Sequence, residues 1–265
     1  MLSSFKVNVA RTLVYKACHP RVEPKLVFVF GCQRSGTTIT QRLIELDPQV
    51  TSYGEGDAPY FYAWPERSNR LLDDEVVRVV LDREKSRRVL LKPLYESQRA
   101  EELLNAFPGS RGVWVFRNYR DVIASHRSYY QHRDPRAYVA PIIEGNSESW
   151  MGARCSEPLR DLLKALGEDE LSVDDLYGLF WIARCELYWP LCDDSRVFLL
   201  DYDQLRESPR VKTEQLYDFL GLRFRPSYPR LVRAGRPGQH DEQQLHPLIR
   251  DYCEEVLSQL RGFSR

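Results

Sequence analysis

Short runs of apolar, β-forming residues recur at Leu26–Phe30, Arg88–Leu91, Gly112–Phe116 and Arg196–Leu200, and between and after them apolar positions return at helical spacing. The helices this spacing predicts are Thr37–Leu46, about Asp73–Arg83, Ser97–Phe107, Arg120–Tyr130, Asp174–Cys192, Ser208–Leu220 and Gln243–Leu260. Strands alternating with helices imply an α/β fold, because right-handed crossovers lay the helices over both faces of a parallel sheet. In such sheets ligands collect beyond the carboxyl ends of the strands, which is where Gly31, Lys92 and Arg117 fall. From His132 to Leu171 the pattern breaks at Pro135, Pro141, Gly145, Gly152 and Pro158, and no clean period emerges.

The first strand runs into Gly31-Cys32-Gln33-Arg34-Ser35-Gly36-Thr37-Thr38 and then into a helix. Two glycines relax the backbone so that successive amides point inward, and the positive end of the helix dipole faces the same space, so the loop is an anion cradle. The spacing opens like a P-loop, but Thr37 stands where the P-loop Lys belongs, and Arg34 is the loop's positive side chain. That departure argues against the metal-dependent kinase chemistry a P-loop usually serves. After the third strand, Arg117 precedes a helix carrying Ser125, a forked cation and a hydroxyl suited to one phosphate monoester.

Arg34-Ser35-Gly36-Thr37-Thr38 resembles the 5′-phosphosulfate loop of sulfotransferases that use 3′-phosphoadenosine 5′-phosphosulfate (PAPS), and Arg117 with Ser125 resembles their 3′-phosphate motif. Tyr202, in Leu200-Asp201-Tyr202-Asp203-Gln204-Leu205, resembles the family's Tyr-Glu-x-Leu segment near the nucleotide, and Asp218 to Leu222 resembles the helix end that follows. The pattern is most similar to the carbohydrate and tyrosylprotein types and related bacterial members. The resemblance implies a P-loop-like single domain over residues 1–265, with 1–24 as an N-terminal extension and 132–171 as an insertion or lid over the acceptor site, where Tyr138, Trp150 and Met151 are candidate contacts. It implies transfer of a sulfuryl group from PAPS to a hydroxyl or amine, leaving adenosine 3′,5′-bisphosphate (PAP). The donor would be held by Arg34, Ser35, Gly36, Thr37, Thr38, Arg117, Ser125 and Tyr202.

For the proton acceptor, Glu55 stands out because it follows the first helix and is flanked by glycines that allow close backbone approach. In the similar sulfotransferases a Glu in this place is the base and a Lys on the next strand assists, which points to Lys92; Arg34 completes the catalytic set, with Asp57 as the alternative base. The segment Arg230–Glu242 is a candidate flexible loop closing over the nucleotide. The competing readings are a metal-dependent P-loop small-molecule kinase and a non-catalytic nucleotide-binding relative.

Composition narrows the partners. Lys plus Arg and Asp plus Glu number 38 each, so no global field draws nucleic acid, and anion affinity must be built locally. No apolar run is long enough to span a bilayer and no signal peptide stands out. The six cysteines form no close pair pattern, which reads as reduced thiols in a cytoplasmic setting. Neither His126 with His132 nor Cys18-His19 makes a zinc set, so no metal is expected. The acceptor is left open among small molecules, carbohydrates and peptides, with Tyr53, Tyr60, Phe61, Tyr62 and Trp64 as aromatic candidates, and the oligomeric state is open too.

Overall fold

The computed structural model describes residues 24–63, 69–129, 135–167, 170–233 and 245–264. The strand β1 (Lys25–Gly31) leads into α1 (Thr37–Ile44), followed by β2 (Val50–Tyr53), a small antiparallel pair β3 (Phe61–Ala63) and β4 (Asn69–Leu71), and α2 (Asp74–Leu81). Then come β5 (Arg88–Leu91), a 3₁₀ turn at Leu94–Arg99, α3 (Ala100–Ala106), β6 (Arg111–Phe116), α4 (Tyr119–Tyr129), α5 (Pro135–Ile143), α6 (Glu157–Leu166) and α7 (Val173–Cys185). The chain ends with β7 (Val197–Asp201), α8 (Tyr202–Glu207), α9 (Pro209–Leu220) and α10 (Pro247–Phe263).

Five strands form one parallel sheet in the order β2-β5-β1-β6-β7. Successive residues of a strand face opposite sides, and β1 shows it: Leu26, Phe28 and Phe30 enter one core with α3, α4, α7 and α10, while Val27 and Val29 enter the other with α1 and α9. Both faces of the sheet are thereby covered, which is why its strands are apolar almost throughout. Among the described residues no helix is long and apolar enough to cross a membrane, and the cysteines there are free thiols.

The four strands the sequence predicts are all present. The additions are the small pair β3 and β4 and the edge strand β2: Val50-Thr51-Ser52-Tyr53 is short and half polar, so it carries little apolar signal of its own and depends on its pairing with β5. The stretch 132–171, which shows no period in sequence, contains α5 and α6. Pro158 reads as a breaker in sequence but sits in the first turn of α6, where its missing N–H is harmless, and the Ser156 hydroxyl caps that turn by accepting from the Leu159 amide at 3.0 Å. The helix expected over Asp174–Cys192 is α only as far as Cys185 and continues as a 3₁₀ turn, Glu186–Leu191, that contains Pro190. Trp150 is 6% exposed, edge-on to Tyr95 at 4.5 Å and under the Arg184 guanidinium, so its surface belongs to the core and it is no acceptor contact. Trp64, His132, residues 1–23, the Tyr138 side chain and residues 234–242 of the proposed closing loop lie outside the described residues.

Candidate active site

Register explains how distant segments meet. Tyr53 of β2 pairs with Leu91 of β5, so Glu55 and Lys92 leave the sheet side by side, and the Lys92 amide donates to the Tyr53 carbonyl at 3.2 Å. On the other side of β1, Gly31 pairs with Val115 and Phe116 with Asp201, which sets Arg117 next to Tyr202 at the same edge. The loop between β1 and α1 lies between these two pairs.

The loop's shape depends on its glycines. Gly31 adopts φ 124°, and a Cβ there would sit 2.1 Å from the Val115 carbonyl oxygen. Gly36 adopts φ 93°, and a Cβ there would sit 2.3 Å from the Tyr202 ring. Only glycine tolerates both the torsion and the approach, so Gly36 is what lets Tyr202 pack against the loop. Arg34 also takes a positive φ, 68°, a conformation unusual for a side-chain-bearing residue and one that clusters at functional loops. No side chain caps the start of α1, so its first amides remain for a ligand.

The two anion motifs touch. Arg34 Nε donates to Ser125 Oγ at 3.1 Å across 91 residues of sequence, and the Arg34 guanidinium lies over the Tyr129 ring at 4.2 Å. Next to Ser125, His126 is fully buried against Tyr177 and Phe180. Burial, reinforced by the positive Arg34 nearby, pushes its pKa down to about 3, so His126 is a neutral structural ring under the loop.

Arg117 is 16% exposed and held between two buried carboxylates, with Nη2 at 3.2 Å from Asp121 Oδ1 and Nε at 3.5 Å from Asp203 Oδ1. Its guanidinium lies over the Tyr202 ring at 5.3 Å, and its carbonyl accepts from Trp181 Nε1 at 3.0 Å. Sequence reasoning does not single out Asp121 or Asp203. Asp121 has a signal, the i, i+4 spacing from Arg117, whereas Asp203 is brought in by the β6–β7 pairing.

Glu55, Lys92 and Thr38 form a chain. Lys92 Nζ is 3.4 Å from Glu55 Oε2 and donates to Thr38 Oγ1 at 3.2 Å. Lys92 is 7% exposed and the Glu55 side chain 21%. Burial pushes the Glu55 carboxyl above its ordinary value, and Lys92 pulls it back by charge and hydrogen bond. A carboxylate raised in this way holds protons more tightly, which suits a general base. Asp57 Oδ2 accepts from the Gly54 amide at 2.6 Å and closes the turn that presents Glu55. Of the aromatic candidates, Tyr60 and Phe61 are buried, Tyr53 is half-buried and donates to Glu84 at 2.5 Å, and Tyr62 is exposed.

Some polar groups at the site lack partners. Ser35 is fully buried and its Oγ has no hydrogen-bond partner, and neither has the side-chain amide of Gln33, which is 7% exposed. Buried donors left open at the loop fit a ligand that brings an oxyanion there.

A family model described as the sulfotransferase domain matches residues 24–246. Nodulation protein H of Rhizobium meliloti is 26% identical over 265 residues, covering 89% of this chain and 92% of that protein. Among solved structures, the sulfotransferase domain from the curacin biosynthetic pathway aligns with a TM-score of 0.56 at 16% identity, over 91% of this chain and 99% of that one. A sulfotransferase from Alicyclobacillus acidocaldarius aligns with a TM-score of 0.53 at 15% identity, over 91% and 95%. At such identities the structural likeness concerns the fold.

Proposed function

The chain belongs to the sulfotransferase family, and from that premise we propose that it moves a sulfuryl group from PAPS to a hydroxyl or amine of a small-molecule, carbohydrate or peptide acceptor. The observation that carries the proposal is the Arg34–Ser125 contact, which makes the loop and the second anion motif one site. A donor bearing a 5′-phosphosulfate and a 3′-phosphate matches two anion half-sites joined in this way. Ser35, Gly36, Thr37, Thr38 and Arg34 would hold the 5′ end, and Arg117 and Ser125 the 3′-phosphate, with Tyr202 packed against both.

In the proposed reaction Glu55 takes the proton of the acceptor, whose oxygen or nitrogen forms the new bond to sulfur. The bond from sulfur to the 5′-phosphate oxygen breaks in line, and PAP leaves with its negative charge met by Arg34 and the first amides of α1. Lys92, which contacts Glu55 and Thr38, would steady charge on the moving group. As in phosphoryl transfer, positioning and electrostatics provide most of the acceleration.

Thermal unfolding tests the donor directly. PAP at a hundred times its Kd should stabilise the protein by about 2.7 kcal/mol in the presence of a metal chelator. A rise produced by ATP with Mg²⁺ and not by PAP would replace the reading with a kinase. Incubation with PAPS and a panel of carbohydrates, phenols, lipids and peptides, followed by PAP release, then identifies the acceptor class.

The pH profile tests Glu55 and Lys92 together. Since the Glu55 carboxyl is raised, kcat/KM should climb with pH through a limb above the ordinary carboxylate value of 4.5. Lys92 favours the charged form, so Lys92→Met should lower the rate and move that limb to still higher pH. A limb that stays in place in Lys92→Met assigns the titration to another group.

A further inference from the structure

The guanidinium assigned to the 3′-phosphate is not set by its own strand and helix alone. Asp203, 2% exposed, accepts from the Asn118 amide at 3.0 Å as well as facing Arg117, and on its other side it meets Arg261 from the last turn of α10, with Nη2 at 3.6 Å from Asp203 Oδ2. Arg261 Nε also donates to Asp201 Oδ2 at 3.4 Å. Asp201, 1% exposed, caps α8 by accepting from the Asp203 amide at 2.8 Å. Burial and the neighbouring Asp203 push the Asp201 carboxyl up, and Arg261 opposes them.

Within these ion pairs two guanidiniums face three carboxylates, Asp121, Asp201 and Asp203. The proposed function brings a phosphate dianion to this same place. Lys212 also feels Asp201, whereas Asp203 is shared between Arg261 and Arg117. Without Arg261, Arg117 would be the cation left facing Asp203, and it would be more fully claimed by carboxylate before any phosphate arrives. The Arg261 side chain is 41% exposed, and substituting it leaves no cavity in the core.

We infer that Arg261 is a positioning residue for 3′-phosphate recognition, shielding Asp203 so that the Arg117 fork is left open to the donor. The inference rests on the donor assignment above. It separates this role from a general contribution to folding, because only ligands that carry a 3′-phosphate depend on it.

Calorimetric titration of the full chain with PAP and with adenosine 5′-monophosphate, which lacks the 3′-phosphate, tests it. In Arg261→Gln the Kd for PAP should rise about tenfold, the scale of one coupled charge pair, and the Kd for adenosine 5′-monophosphate should stay within about twofold. Arg261→Lys should recover most of the loss, since charge near Asp203 is what matters. In an Asp203→Asn background Arg261→Gln should weaken PAP by no more than about twofold, because the carboxylate it acts through is gone. A wild-type chain that prefers PAP together with an Arg261→Gln variant that retains that preference overturns the inference alone. Equal weakening of both ligands does the same. A wild-type chain with no preference for PAP overturns the donor assignment, and the inference falls with it.

Discussion

Glu55→Gln is expected to abolish turnover while leaving the donor site and the fold intact. Gln keeps the shape of the side chain and loses its capacity to accept a proton, and removal of a positioned base typically lowers rate about 10²–10⁴-fold. PAP affinity should stay within about twofold, because the carboxyl meets Lys92 while Arg117 is paired with Asp121 and Ser125 with Arg34. Stability gives an independent readout with a definite sign. The folded carboxyl is raised, so its favourable contribution is complete only below its unfolded pKa and is lost as pH rises through the folded value. The neutral amide avoids that loss, and Glu55→Gln should melt no lower than the parent at pH 8. Near-normal PAP release by this variant in the presence of PAPS and an acceptor would sink the assignment of Glu55 as base. Asp57 is a poor substitute, since its carboxylate is engaged with the Gly54 amide.

The second large effect is expected at Arg117. Arg117→Ala removes the fork proposed to grip the 3′-phosphate, and loss of a buried charged contact of this kind weakens binding by about 2–5 kcal/mol, at least thirtyfold in the Kd of PAP. Affinity for adenosine 5′-phosphosulfate, which has no 3′-phosphate, should change little. The variant should also be less stable, because Asp121 and Asp203 are about 3% exposed and would lose a shared cation. Arg117→Lys distinguishes the two effects: the ammonium restores charge between the carboxylates and hence most of the stability, but a point charge cannot reproduce the planar fork. Equal losses for PAP and adenosine 5′-phosphosulfate in Arg117→Ala would count against a 3′-phosphate role.

Much of the site was legible residue by residue. The loop from Gly31 to Thr38 announces itself because strand, glycine spacing and helix start are all local, and the structure adds why each glycine is there: one clears the Val115 carbonyl and the other the Tyr202 ring. Glu55 and Lys92 could be named from sequence, but their proximity could not, since the strand that aligns them, β2, is half polar and has no independent signal. Asp203 and Arg261 were illegible as neighbours of Arg117 for a related reason. An ion pair between residues 117 and 203 has no sequence period, and one between 203 and 261 needs both the β6–β7 register and the docking of α10. Even the irregular stretch 132–171 hid two helices, because proline punctuates loops and opens helices alike.

By itself the sequence determined the alternation of strands and helices, the glycine-bounded loop that lacks a P-loop lysine, and the residue types proposed to carry charge and protons. Those properties are local, set by backbone torsion, side-chain periodicity and chemistry within a few residues. The tertiary structure alone decided that Arg34 reaches Ser125, that Lys92 links Glu55 to Thr38, and that Arg117 is shared between Asp121 and Asp203 with Arg261 behind them. Those contacts follow from parallel register across β2, β5, β1, β6 and β7 and from the docking of α10, and register is a property of paired strands that no single strand carries.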